Sequence, residues 1–279
     1  MDRRFLYFGR SLMQNTKIGI FDSGVGGLTV VDQIRRLLPA AELLYVADNA
    51  RAPYGPRSAE EVLNFSRQIT NFLLAQGAGL IVIACNTATS VAIDTLRLEY
   101  PDISFVGMEP AVKPAATHTR NGRIGVMATE LTLSGSRYQQ LVTEYAYSTE
   151  ILADPCVGLV PLIEAGDWES GAVKSKLRAI LDPMLAAGID ALVLGCTHYP
   201  LLREQIKAIC GDGVEIIDPA PATARQVGRL YISLTDTENK TYCTPLHRFH
   251  STGKSLPLER VLFRLRLPYR LSLASSNLG

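Results

Sequence analysis

KIGIFDS (17–23) and RIGVMAT (123–129) are two versions of one stretch. Each begins on a basic residue, continues through Ile-Gly and two large apolar residues, and ends on a hydroxyl, Ser23 or Thr129. Near-continuous apolar runs of this length read as strands buried on both faces of a parallel sheet. A second pair of stretches matches in the same way: IVIACNTATS (81–90) and LVLGCTHYPLL (192–202). Ile18 and Ile124 stand 106 residues apart, and Cys85 and Cys196 stand 111 apart. Offsets that agree within five residues imply a duplicated α/β unit with one small insertion. In this register Ser23 faces Thr129, Cys85 faces Cys196, Asn86 faces Thr197 and Thr87 faces His198.

Outward from these stretches, strand-like and helix-like segments alternate. A helical pattern from Leu28 to Leu38 stops at Pro39, and ELLYVA (42–47) is a second strand. A Gly- and Pro-rich loop, DNARAPYGPR (48–57), follows. Ser58 with Glu61 forms a capping box that opens a helix running to about Gln76. LIVIA (80–84) and ISFVGM (103–108) are further strands. Such alternation implies parallel sheets with right-handed crossovers. The expected fold class is α/β: two pseudo-symmetric parallel-sheet domains, with the active site in the cleft between them. The expected division is 17–112 plus 226–279 for the first domain and 113–225 for the second, after an N-terminal extension (1–16). From about Gln226 the signal weakens. LYISLTDTENKTYCTPLHRFHSTGKS (230–255) reads as irregular or β structure, SLPLERVLFRL (255–265) as a short helix, and YRLSLASSNLG (269–279) as a loose tail.

Composition narrows the function. The 279 residues carry 28 basic and 27 acidic side chains, a formal charge of +1, which gives no footprint for nucleic acid or a membrane surface. No apolar run is long enough to span a bilayer. The basic N-terminal stretch lacks the apolar core of a signal peptide, so the expected location is cytoplasmic. The cysteines are Cys85, Cys156, Cys196, Cys210 and Cys243. An odd number at wide spacing is no disulfide framework, and no ligand spacing suggests zinc. Cys156, Cys210 and Cys243 read as packing residues.

Cys85 and Cys196 differ because of their neighbours. Ligands of parallel α/β sheets bind beyond the carboxyl ends of the strands. Asp22, Cys85, Thr129 and Cys196 all stand at such ends and can converge between two halves. One thiol can take a proton from one face of a carbon while the other returns a proton to the opposite face. Asn86 and Thr87, then Thr197 and His198, are polar residues beside each thiol at expected helix starts. Such starts lower a thiol pKa, and His198 suits a base or orienting role. DSGVGGL (22–28) resembles a dinucleotide fingerprint, but the third required glycine falls on Thr29. Its glycines are read instead as letting backbone amides approach a small anion such as a carboxylate. The loop at Pro53-Tyr54-Gly55 follows a strand end and can offer backbone contacts. With no Walker motif and no lysine in a pyridoxal-phosphate context, no cofactor and no metal are expected, and side chains carry the chemistry.

Together, IGIFDSGVGGLTV, YVADNARAPYGPRS, ACNTATS, GMEPAVKPA and LGCTHYPLL resemble the glutamate racemase family over most of residues 17–225. That resemblance implies an isomerase that interconverts L- and D-glutamate without a cofactor and supplies D-glutamate for peptidoglycan. It implies Cys85 and Cys196 as the acid/base thiols, assisted by Asp22 and His198, one on each side. Asp22, Ser23, Tyr54, Gly55, Asn86, Thr87, Thr129, Thr132, Thr197 and His198 are then expected to contact substrate, with Tyr54 and Gly55 acting through backbone. Glu164 matches a family glutamate near the His198 side. At Thr129-x-x-Thr132, MATEL replaces the more usual Gly-Thr-Glu-Gly. The family forms homodimers. The N-terminal extension and GMEPAVKPA look like a proteobacterial subgroup, some of whose members are activated by UDP-N-acetylmuramoyl-L-alanine. Aspartate or hydantoin racemisation is the alternative within the superfamily, although the PYG loop and His198-Tyr199-Pro200 favour glutamate. A non-catalytic DNA gyrase-binding role, reported for some racemases, is a further alternative.

Overall fold

The first unit runs β1 (Lys17–Asp22), α1 (Leu28–Leu37), β2 (Leu43–Ala47), α2 (Ala59–Ala75), β3 (Ala78–Ile83), α3 (Asn86–Glu99), β4 (Ser104–Gly107) and α4 (Val112–His118). The second runs β5 (Arg123–Ala128), α5 (Glu130–Leu133), α6 (Ser136–Tyr145), β6 (Glu150–Asp154), α7 (Leu159–Glu164), α8 (Gly171–Ala186), β7 (Ala191–Gly195), a 3-10 turn (Tyr199–Leu202), α9 (Arg203–Cys210) and β8 (Glu215–Ile217). The chain then adds α10 (Ala220–Leu234), β9 (Arg248–Ser251), α11 (Leu256–Arg264) and β10 (Arg270–Leu273). This computed structural model describes residues 16–235, 245, 247–266 and 270–273. Cys243, the N-terminal extension before Thr16 and most of the expected tail lie outside the described residues.

The local chemistry accounts for these elements. Leu28, Val30, Val31 and Ile34 give α1 one buried face, and Arg35 and Arg36 in its last turn suit the negative end of the helix dipole. The capping box at α2 is present as expected, with Ser58 accepting from the Glu61 amide and Glu61 reaching back to the Ser58 amide. The central strands β1, β2, β3 and β7 are buried along nearly their whole length.

Every pairing is parallel. The first sheet has the order β10-β9-β2-β1-β3-β4 and the second β6-β5-β7-β8. The four strands β2-β1-β3-β4 therefore repeat the order of β6-β5-β7-β8. The two sequence offsets meet in the ladders: Phe21 pairs with Ile83 in the first sheet, and the equivalent Met127 pairs with Leu194 in the second. In this order the switch point, where crossovers reverse direction, lies between β1 and β3 and again between β5 and β7.

Two expectations need correction. Arg270–Leu273 is no loose tail, because it forms β10, parallel to β9. Its Arg-Leu-Ser-Leu sequence is too short to declare a strand by itself, and the neighbouring strand supplies the partner. After Cys196 the chain makes a 3-10 turn containing Pro200 before α9 begins, so no α-helix starts at that thiol. α10 carries the chain continuously across residues 225 and 226. The short helix at 255–265 is present as α11.

One buried apolar cluster crosses both units, joining Ile20 and Val82 to Met127, Leu194 and Tyr199, with Leu258 and Val261 of α11. Among the described residues no helix is long and apolar enough to cross a membrane.

Candidate active site

The two switch points face one cavity of about 210 Å³. From the first unit, Ser23, Tyr54, Gly55, Cys85, Asn86 and Thr87 line it. From the second come Thr129, Cys196, Thr197 and His198. Ten of the thirteen residues singled out in the sequence thus share one wall. The other three, Asp22, Thr132 and Glu164, stand behind it and hold those that line it.

Cys85 caps α3, its sulfur accepting from the Ala88 amide at 3.4 Å, with Ser23 Oγ 4.0 Å away. The helix start is present, yet the thiol pKa is pushed well up from its usual 9.0. Burial is the main cause and the Asp22 carboxylate the next. The expected lowering at Cys85 is overturned because one amide contact offsets little of the desolvation.

Cys196 has a different neighbourhood. Its Sγ lies 3.7 Å from His198 Nδ1, and His198 Nε2 lies 2.6 Å from Glu164 Oε1. Burial alone pushes the His198 pKa down, but hydrogen bonds to Cys196 and Glu164, with their charges, leave it well above its usual 6.5. These partners favour the protonated form of the imidazole beside Cys196.

The glycine-rich turn does meet carboxylates, but they belong to the protein. Gly24 and Gly27 donate to Asp22 Oδ2 at 3.2 and 2.9 Å, and Val25 donates to Glu164 Oε1 at 2.9 Å. Thr197 donates to Asp22 Oδ1 at 3.3 Å. Burial raises the Asp22 pKa, against the charge of His198. The expected cradle for a ligand anion is overturned: two side chains, one from each unit, already occupy these amides.

Three hydroxyls join the units at the cavity wall. Thr129 lies 2.9 Å from both Thr87 and Thr132 through their Oγ1 atoms. Thr132 is thereby a support for Thr129, one step removed from the cavity. Asn86 is buried and both atoms of its amide lack a protein partner. A buried amide of this kind is expensive unless a ligand or water satisfies it. Tyr54 is also buried, with its hydroxyl bonded to Asp48, so its backbone and ring edge are what the loop offers the cavity.

Sequence reasoning missed several residues. Cys156, read as a packing cysteine, is buried but also lines the cavity, as do Val157, Val160 and Pro161. Asp48 and Asn49 follow a strand end, the one signal that could have raised them. Among the described residues, no group of three or more His, Cys, Asp or Glu side chains is placed to hold a metal ion.

Known proteins are similar to this chain in sequence and in fold. A family described as Asp/Glu/Hydantoin racemase matches residues 18–227. The glutamate racemase of Herpetosiphon aurantiacus is 48% identical over 218 residues, 78% of this chain and 85% of that protein. The glutamate racemase of Pseudomonas aeruginosa (strain UCBPP-PA14) is 44% identical over 250 residues, 90% of this chain and 94% of that protein. The crystal structure of Escherichia coli glutamate racemase in complex with L-glutamate and the activator UDP-MurNAc-Ala has a TM-score of 0.81 at 32% identity, covering 93% of this chain and 98% of that one. The Francisella tularensis glutamate racemase in complex with D-glutamate also has a TM-score of 0.81, at 30% identity, covering 95% and 99%. The family match spans both units, from the first strand into α10, and the chain belongs to the Asp/Glu/hydantoin racemase family.

Proposed function

We propose that the chain is an isomerase interconverting L- and D-glutamate without a cofactor, by proton transfer between two thiols. The observation that carries this reading is the pairing of Cys85 and Cys196. They follow equivalent strands of opposite units and open into one cavity. A carbon held between them loses its proton to one sulfur and gains another from the opposite face. Holding both thiols in place replaces two bimolecular encounters.

For L-glutamate, Cys196 takes the α-proton and Cys85 delivers one; for D-glutamate the roles reverse. The two surroundings suit this direction of travel. Burial and the Asp22 charge favour the protonated form of Cys85, ready as the acid, while the contacts of His198 favour its protonated form beside Cys196. For the reverse direction Cys85 must ionise. A proton passed from Cys85 to Asp22 leaves a thiolate and a neutral carboxyl, and the raised pKa of Asp22 favours that exchange. The hydroxyls of Ser23, Thr87, Thr129 and Thr197 and the unpartnered amide of Asn86 supply groups to hold the substrate carboxylates and ammonium. Glu164 acts one step back, holding His198.

The L- and D-glutamate complexes of the two relatives support glutamate as substrate. The activator described with the Escherichia coli protein supports UDP-N-acetylmuramoyl-L-alanine as an activator of this chain. The reading places the enzyme in the cytoplasm as a homodimer, supplying D-glutamate for peptidoglycan.

The test is incubation with L-glutamate in D₂O without added cofactor, following optical rotation and α-proton exchange, with and without the activator. Loss of rotation together with exchange is expected. Cys85→Ala and Cys196→Ala should each lower the racemisation rate at least about a thousandfold. Near wild-type racemisation by either variant would sink the two-thiol mechanism. Turnover of aspartate or a hydantoin in place of glutamate would sink the substrate assignment. The pH profile of kcat/KM should be bell-shaped, because one thiol must be ionised and the other protonated.

A further inference from the structure

The segment after β9 carries no role in the reading above, yet it reaches the substrate loop. Thr252, the residue following β9, is buried. Its hydroxyl donates to Asp48 Oδ1 at 2.8 Å and accepts from the Ala50 amide at 3.1 Å. Its own amide donates to Ala47 O at 3.0 Å. Asp48 is fully buried, and its other oxygen accepts from Arg51 Nε at 2.7 Å and from the Tyr54 hydroxyl. The hydroxyl thus holds Asp48 and Ala50, and Asp48 in turn holds Tyr54, at the end of a short path whose last members line the cavity. Gly253 makes the approach possible, because a Cβ there would stand 2.9 Å from the Ala50 amide nitrogen. At the far end, a Cβ on Gly55 would stand 3.3 Å from the Thr129 side chain of the second unit.

The asymmetry of the two sheets supports the same reading. In the second unit β6 is an edge strand, whereas its counterpart β2 is covered by β9 and then β10. The added strands therefore bring Thr252 to the carboxyl end of β2, where the first unit places its substrate loop. Arg51, also held by Asp48, bonds to Gln68 of α2 and lies over the Phe65 ring, so the loop is braced on two sides.

We propose that Thr252 is a positioning residue for the substrate site, holding the Asp48–Gly55 loop through Asp48 and Ala50. The proposal rests on the racemase reading and deepens it. The hydroxyl contributes to binding more than to proton transfer, because the loop carries none of the acid/base groups. Losing it leaves a buried carboxylate oxygen and a backbone amide without their partner.

The experiment measures kcat and KM for glutamate in both directions for the wild type, Thr252→Val and Thr252→Ser, with thermal unfolding of each. Thr252→Val keeps the shape and removes both bonds; KM should rise about five- to twentyfold, with kcat within about threefold. Thr252→Ser keeps the hydroxyl and should return KM close to wild type. Should the valine variant not fold, Thr252→Ala carries the same expectation. An unchanged KM in the folded variant, or a fall confined to kcat or to the unfolding temperature, overturns the proposal. A wild type inactive on glutamate overturns the substrate reading alone. The same comparison is then made on whichever acidic amino acid or hydantoin it does turn over.

Discussion

At the scale of single residues, His198 is held at both ring nitrogens, by Cys196 and by Glu164. Its pKa in the folded protein stands above the 6.5 usual for the unfolded chain. A group raised on folding contributes stability that is fully present below its unfolded pKa and is lost as pH rises through the folded value. Stability should therefore decline on the alkaline side, and His198→Asn should flatten that decline. Urea midpoints from about pH 6 to about pH 10 for both proteins measure it. Parallel curves would mean that the imidazole gains no proton affinity on folding. The identity of the two thiols is legible in the sequence, since each follows an apolar strand and precedes polar residues. Their protonation is not. Helix starts are visible in a sequence, but the burial that outweighs one at Cys85 depends on tertiary packing.

At the scale of elements, the turn between β1 and α1 shows why its glycines are required. Gly26 needs no unusual backbone angle; it needs space. A Cβ there would stand 2.6 Å from His198 Nδ1, 2.7 Å from the His198 amide nitrogen and 2.7 Å from Thr197 Oγ1. Backbone cannot yield as a flexible side chain can. Gly26→Ala should destabilise by about 1–3 kcal/mol and slow racemisation by displacing His198. Thermal unfolding and kcat read both effects, and unchanged values in both would refute the close-packing account. The strand-turn-helix was legible from DSGVGGL. That its amides would hold the protein's own carboxylates in place of a ligand anion was not. Glu164 stands 139 residues from Val25, and no local pattern links them.

At the scale of the whole molecule, the two units share an apolar cluster and are pinned together at the cavity. The Thr87-Thr129-Thr132 hydroxyls join them on one side and the Glu164-Val25 bond on another. Arg137 of α6 adds ion pairs to Asp94 of α3 and to Glu109. A shared core predicts one cooperative unfolding transition, although the architecture is duplicated. Trp168, the single tryptophan, reports on the second unit, where its ring nitrogen bonds Ile163 O at 2.8 Å. Its fluorescence and the far-UV circular dichroism of the whole chain should give one denaturant midpoint. Two separated midpoints would show that the units unfold independently.

The sequence by itself determined the duplicated strand pattern, the parallel sheets and the position of a thiol beyond one strand of each unit. Apolar periodicity and turn residues encode these features within a few positions, because burial and backbone geometry are local demands. Only the tertiary structure decided which charges face which thiol, which carboxylates occupy the glycine-rich turn, and which loop Thr252 bonds. Those contacts join residues such as Thr252 and Asp48, 204 positions apart. Their partners are chosen by the packing of one sheet against another and by the strands added at one edge, and neither leaves a periodic trace in the chain.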